Sequence, residues 1–260
     1  MNVKDFIVRY SVVRSGGNDM THSRLLIATL TFPLALFCFS SASAQTNDRA
    51  QAVTEFEDLL GKMKALENRL LVVSAEDKAA FADFLKQPDT GLIRLLPREK
   101  YDMKLSIRGG GAYYSFTRLT HEYGRGSDIG LEKGKFSSGF AGFDFGFFIS
   151  LGDLPLEAVT LENAGVNALA EYQAPPTEVE IRAQYRQTHQ GIKLGEFIAT
   201  SYVPAKVGTT YALRSLDFDI SDVLVAFRVI RQDQDGSVVL LWKTLKKFPV
   251  PTAILENRSQ

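Results

Sequence analysis

Residues 106–152 read SIRGGGAYYSFTRLTHEYGRGSDIGLEKGKFSSGFAGFDFGFFISLG, and the fold is decided there. Eleven of the chain's twenty glycines fall in this stretch, interleaved with ten aromatic residues. Large rings need a packed surface, and glycines permit turns and close backbone approach. The last third carries the clearest strand pattern. Phe143, Phe145, Phe147, Ile149 and Leu151 recur at two-residue spacing, with Asp144, Gly146, Phe148 and Ser150 opposed. Upstream, Ala112, Tyr114 and Phe116 share one face, and Tyr113, Ser115 and Thr117 the other. Gly109-Gly110-Gly111 bends or bulges the chain between these rings and an alternating segment at Leu105 and Ile107. The whole stretch predicts β-hairpins joined by a polar, aromatic loop.

Alternation continues toward the C-terminus. A strand is expected over 156–161, and another over 178–186 with Val179, Ile181, Ala183 and Tyr185 facing in. Two more follow over 193–203 and 209–220. A final hairpin over 223–231 and 237–247 turns at Asp233-Gln234-Asp235-Gly236. Its strands are partly apolar on both faces, which predicts a central position. Roughly ten short strands separated by turns predict a mainly β domain, an antiparallel β-sandwich or jelly roll, over 89–250, with a tail at 251–260.

Toward the N-terminus the spacing becomes helical. Val53, Phe56, Leu59, Leu60, Met63, Leu66 and Leu70 recur every three or four residues. Ser74, followed by Glu76 and Asp77, caps a second helix through Phe81, Phe84 and Leu85 that stops before Pro88. A short helical hairpin over 45–88 is expected. Its apolar stripe would dock on the chain's own β domain, with self-association through 48–72 as the alternative.

Ahead of it, residues 20–44 have the layout of a secretory signal: Arg24, an apolar run over 25–39, and Ala42-Ser43-Ala44 as the cleavage site. The apolar run is shorter than the ~20 residues that span a bilayer. Residues 1–19 carry Lys4, Arg9 and Arg14 without an apolar run, which translation from Met20 would explain. A lipoprotein signal is excluded because Phe37, not a small residue, precedes Cys38. Cys38 is the only cysteine, so an exported chain beginning at Gln45 has no disulfide and no thiol chemistry. Its net charge of −2, without a basic stripe, argues against nucleic acid as a partner. The expected location is periplasmic or extracellular.

Candidate chemistry gathers in the glycine-rich loop. His121, Glu122 and Asp128 are the one set suited to acid–base work, and they would serve a secreted glycan or ester hydrolase. Only one other histidine, His189, lies beyond the signal, so a histidine-rich zinc set is excluded. Arg108 and the three glycines lack the lysine and following helix of a phosphate loop. Asp233-x-Asp235-Gly236 opens like a calcium loop but has no closing glutamate, and Asp-Gly between apolar strands signals a turn. No metal or other cofactor is expected. Residues 135–151, rich in Gly and Phe, could alternatively enter a bilayer as a hairpin. The leading expectation is a non-catalytic binding or envelope-associated module. Its ligand surface would be built from Arg108, Tyr113, Tyr114, Arg118, Tyr123 and Arg125, for a glycan, a peptide or another envelope protein.

Overall fold

Two apolar faces on one strand need two covering layers, and the strand Ser221–Gln232 has both. A computed structural model of the chain describes residues 39–254, with side chains from Asn47 onward. Residues 1–38, which hold most of the expected signal, and residues 255–260 of the expected tail lie outside the described residues. The chain divides into two units, Met1–Thr54 and Glu55–Gln260. In the first, the described part is the start of helix α1 (Phe39–Leu71), where the Thr54 hydroxyl donates to the Ala50 carbonyl at 3.1 Å.

The second unit is mainly β, with three antiparallel sheets and a few short helices. After α1 come α2 (Ala75–Ala80), β1 (Thr90–Leu95), α3 (Arg98–Tyr101), β2 (Tyr113–Tyr114), β3 (Ile129–Glu132), β4 (Lys135–Ser137) and β5 (Asp144–Gly152). Then follow α4 (Ala164–Ala170), α5 (Glu178–Gln190), β6 (Ile192–Leu194), β7 (Phe197–Ala199), β8 (Tyr202–Pro204), β9 (Thr210–Asp217), β10 (Ser221–Gln232) and β11 (Val238–Lys247). The large sheet has the order β1-β11-β10-β9-β5, the smaller one β2-β3-β4-β8, and β6-β7 form a hairpin. The 223–247 hairpin is central, as its two apolar faces required.

Alternation along β10 divides the interior. Val223, Val225, Phe227 and Val229 point between the sheets, where they meet Tyr114, Ile129, Leu131 and Phe136 of the smaller sheet. Phe136 lies edge-on to Phe227 at 5.2 Å and to Tyr211 at 6.0 Å, and so fixes how the sheets meet. On the opposite face, Leu224 and Ala226 pack with Phe145, Phe147 and Ile149 of β5 against Val166, Leu169 and Ile181 of the helices. A helical layer therefore backs the sandwich, which a simple two-sheet arrangement does not include.

Four expected strands are corrected, the first of them 193–203, which is three short strands, β6, β7 and β8, in two different sheets. Residues 178–186 are helix α5. Ile181 and Tyr185 suit either period because four residues is both one helical turn and two strand repeats, and the caps decide. Thr177 accepts from the Glu180 N–H, and the Glu180 carboxylate accepts from the Thr177 N–H, a closed capping box. Removing it with Thr177→Ala is expected to cost about 1 kcal/mol in urea denaturation, with Thr177→Ser close to wild type. The segment at Leu105 and Ile107 is a run of turns, because Gly109, Gly110 and Gly111 all have positive φ (82°, 62° and 73°) and reverse the chain. Leu156–Ala158 is a 3-10 turn.

Two strands lie where a loop was expected. β3 and β4 are joined by the two-residue turn Lys133-Gly134, both with positive φ (49° and 70°), the geometry that suits strand twist. Asp235 accepts from the Ser237 N–H at 2.9 Å and from the Tyr101 hydroxyl at 2.7 Å, which makes 233–236 a braced turn. Ser74 caps α2 as its sequence implies, accepting from the Asp77 N–H at 3.1 Å. Helix α1 departs from expectation most, because its apolar stripe is exposed instead of docked.

Candidate functional site

The loop from 115 to 128 sends its side chains to three separate places. Tyr114 and Asp128 go inward. Tyr114 is 5% exposed and lies edge-on to Phe116 and His121, and burial pushes its hydroxyl up to about 12. Asp128 is 1% exposed, and its Oδ2 accepts from the Phe116 N–H at 2.7 Å. Its Oδ1 has no hydrogen bond of good geometry. Burial raises this carboxyl to about 6, against the lowering effect of the nearby Ser215 and Ser115 hydroxyls and the Phe116 N–H.

Arg118 and Arg125 close the loop. Arg125 binds the buried Asp217 carboxylate at 2.9 Å and donates to the Phe218 carbonyl. The Gly126 N–H donates to the other oxygen of Asp217. Arg118 donates to the Arg125 carbonyl. Both guanidinium groups are engaged by the protein itself.

His121 and Glu122 face a different direction, together with Arg108. They line a cleft of about 610 Å³ against the end of α1, together with Ser106 and with Lys64 and Asn68 of the helix. His121 Nε2–H donates to the Arg94 carbonyl at 2.8 Å, and burial lowers its pKa, so the ring is neutral. Asp128 does not line this cleft. The three residues of the expected hydrolytic set are thus divided between a cleft wall and the space between the sheets.

Tyr113 and Tyr123 enter a third location. Because Tyr113 alternates with Tyr114 on β2, it points away from the inter-sheet core. It meets Tyr123 at 4.6 Å and Phe140 at 5.0 Å between ring centroids. Phe140 is held in place by Asp144, which accepts from the Phe140 and Ala141 N–H groups at 2.6 Å each. Tyr202 of β8 lies opposite Ser137 of β4 in register, and Tyr185 comes from α5. Together these rings wall a cleft of about 360 Å³.

Its charged groups are Arg98 and Glu132, and the His189 ring also lines it. Arg98 donates to Glu132 and to Asp102, both at 3.3 Å, and sits 5.8 Å from the Tyr113 ring centre and 5.6 Å from that of Tyr123. Arg108 lies 5.3 Å from the Tyr123 ring centre. Burial pushes the Tyr113 hydroxyl up to about 12, so it stays a neutral donor or acceptor. Of the expected ligand residues, Tyr113 and Tyr123 line this cleft, while Arg108 lines the one beside α1 and only reaches the Tyr123 ring. Arg98, Glu132, Phe140, Tyr185 and Tyr202 come from other elements, with no local spacing to announce them.

Among the described residues, no group of three His, Cys, Asp or Glu side chains could hold a metal ion. No helix among them is long and apolar enough to cross a membrane. No protein-family model matches the chain, and neither a curated protein nor a solved structure shows significant similarity to it.

Proposed function

We propose that the chain is an exported, non-catalytic module that binds the end of a glycan in the cleft walled by Tyr113, Tyr123, Phe140, Tyr185 and Tyr202. The observation that carries this reading is the meeting of five aromatic rings with the Arg98–Glu132 pair in one concave site. A sugar ring has an apolar C–H face that stacks on an aromatic face and a rim of hydroxyls that need charged or polar partners. The cleft offers both. Its volume is at the small end of the ~300–1,000 Å³ of typical ligand sites, which favours a terminal sugar over a folded peptide. Export rests on the signal layout of residues 20–44, and the cysteine-free mature chain is compatible with an oxidising compartment. A hydrolytic reading has less support, because Asp128 and His121 are engaged by backbone groups in different places.

Calorimetric titration with neutral and acidic oligosaccharides tests the proposal. Tyr123→Ala is expected to weaken a bound glycan at least tenfold, and Tyr202→Ala, at an exposed ring, severalfold. Glu122→Ala, in the other cleft, should leave binding unchanged. Loss of binding with Glu122→Ala but not Tyr123→Ala would move the site. Turnover of the bound glycan would replace binding with hydrolysis.

A further inference from the structure

Helix α1 is attached to its domain by the wrong face. Glu67, a carboxylate, is 1% exposed and accepts from the Ser106 N–H and, at 2.6 Å, from the Ser106 hydroxyl. Lys64, Asn68 and Leu71 lie on the same side and line the adjoining cleft. Roughly a third of a turn round the helix, by its 3.6-residue period, runs the apolar stripe. Phe56 is 61% exposed, Leu59 62%, Met63 37%, Leu66 57% and Leu70 38%. These five residues alternate spacings of three and four without a break, the a and d positions of two heptads. A stripe of this regularity, left in solvent while a carboxylate is buried, belongs to an interface outside the domain.

We infer that a second copy of this chain covers the stripe, as an antiparallel pair of α1 helices. The argument for a second copy is self-complementarity. At the positions that flank the stripe, Glu55 stands near its N-terminal end and Arg69 near its C-terminal end. Antiparallel pairing with Phe56 over Leu66 and Leu59 over Met63 of the second copy places Glu55 beside Arg69, twice by symmetry. It also brings Leu60, 39% exposed, against its own counterpart. Lys62 would approach its counterpart, but Asp58 of its own helix already binds it at 2.6 Å. The seam from Phe56 to Leu70 is roughly 22 Å long. Two heptads of seam bury less than the ~1,200–2,000 Å² of stable interfaces, so the dimer is expected to assemble in the micromolar range and exchange rapidly.

Sedimentation of the full-length chain, purified as the cell processes it, over about 1–200 μM tests the inference. Wild type should pass from monomer to dimer across that range. Leu59→Lys/Leu66→Lys should stay monomeric with an unchanged melting temperature, since neither side chain packs on its own domain. Glu55→Lys should weaken the dimer severalfold, and Glu55→Lys/Arg69→Glu should restore it, because only the antiparallel pairing sets these two side by side. Wild type that remains monomeric throughout, or a lysine variant that still dimerises, overturns the inference. So does a double charge variant without rescue. Binding of monomeric wild type to phosphatidylglycerol vesicles would assign the stripe to lipid instead. These outcomes do not depend on the glycan cleft, which lies on other elements.

Discussion

Replacing Arg214 with methionine is expected to lower the unfolding free energy by about 3–5 kcal/mol, the usual cost of orphaning one partner of a buried ion pair. The Arg214 and Asp222 side chains are only 3% and 4% exposed, and they face each other across β9 and β10 through two bonds of 2.5 and 2.7 Å. The guanidinium also lies 3.2 Å from the ring centre of Phe248 and donates to the carbonyls of Leu169 and Ala170 at 3.0 and 3.4 Å. Those carbonyls end helix α4, where no later turn can satisfy them. One side chain thus neutralises a buried carboxylate and fastens the helical layer to the central sheet. Burial, the larger influence, raises the Asp222 pKa, and Arg214 opposes it.

Without Arg214, Asp222 is pushed higher still. A carboxyl raised in the folded state contributes stability at low pH that is lost as pH rises through its folded pKa. The Arg214→Met deficit should therefore be largest at neutral pH and shrink toward pH 4. At neutral pH it should lower the melting temperature by about 10 °C for a domain of this size. Arg214→Met/Asp222→Leu should recover most of the loss, since the charge left alone is then gone. A single-variant cost below about 1 kcal/mol would show that the pair contributes little.

How much of this was legible in the sequence follows from the range of the interactions. Strand β5 was legible because Phe145, Phe147 and Ile149 face the helical layer while Phe148 faces the other sheet, a strict period of two. The same rule separated Tyr113 from Tyr114. It failed at Ile181 and Tyr185, where both periods fit and only the Thr177–Glu180 box distinguishes them. It failed again at β3 and β4, which are short and take their register from the Lys133-Gly134 turn. Long-range partners leave no local trace. Arg125 read as a ligand residue because its partner, Asp217, is 92 positions away. The aromatic cleft needed Arg98, Phe140, Tyr185 and Tyr202 brought together from four elements. The stripe on α1 was legible as a stripe, but its exposure depended on Glu67 finding Ser106.

Asp128→Asn is expected to raise stability at neutral pH by roughly 2–3 kcal/mol and to change it little below pH 4. The wild-type carboxyl sits between the sheets with a pKa lifted by burial from 3.8 to about 6. Folding therefore favours its protonated form. The stability from that preference is fully present below the unfolded value and is lost as pH rises through about 6. Asparagine has no charge to lose. Its amide oxygen can keep the Phe116 N–H bond, and its NH₂ can donate to the Ser115 or Ser215 hydroxyl, which lie near enough to affect the wild-type carboxyl. Asp144 and Asp222 also have raised pKa values, but they titrate in both proteins and cancel in the comparison. Urea denaturation at pH 4, 5, 6, 7 and 8 should give two curves that separate between about pH 4 and 6 and run nearly parallel above that. Asp128→Leu, which leaves the Phe116 N–H without an acceptor, should lie below the asparagine variant at every pH. A constant gap between wild type and Asp128→Asn would mean that the carboxyl is charged in the folded protein throughout. Some cation or hydroxyl would then have to stabilise it more strongly than Ser115, Ser215 and the Phe116 N–H do.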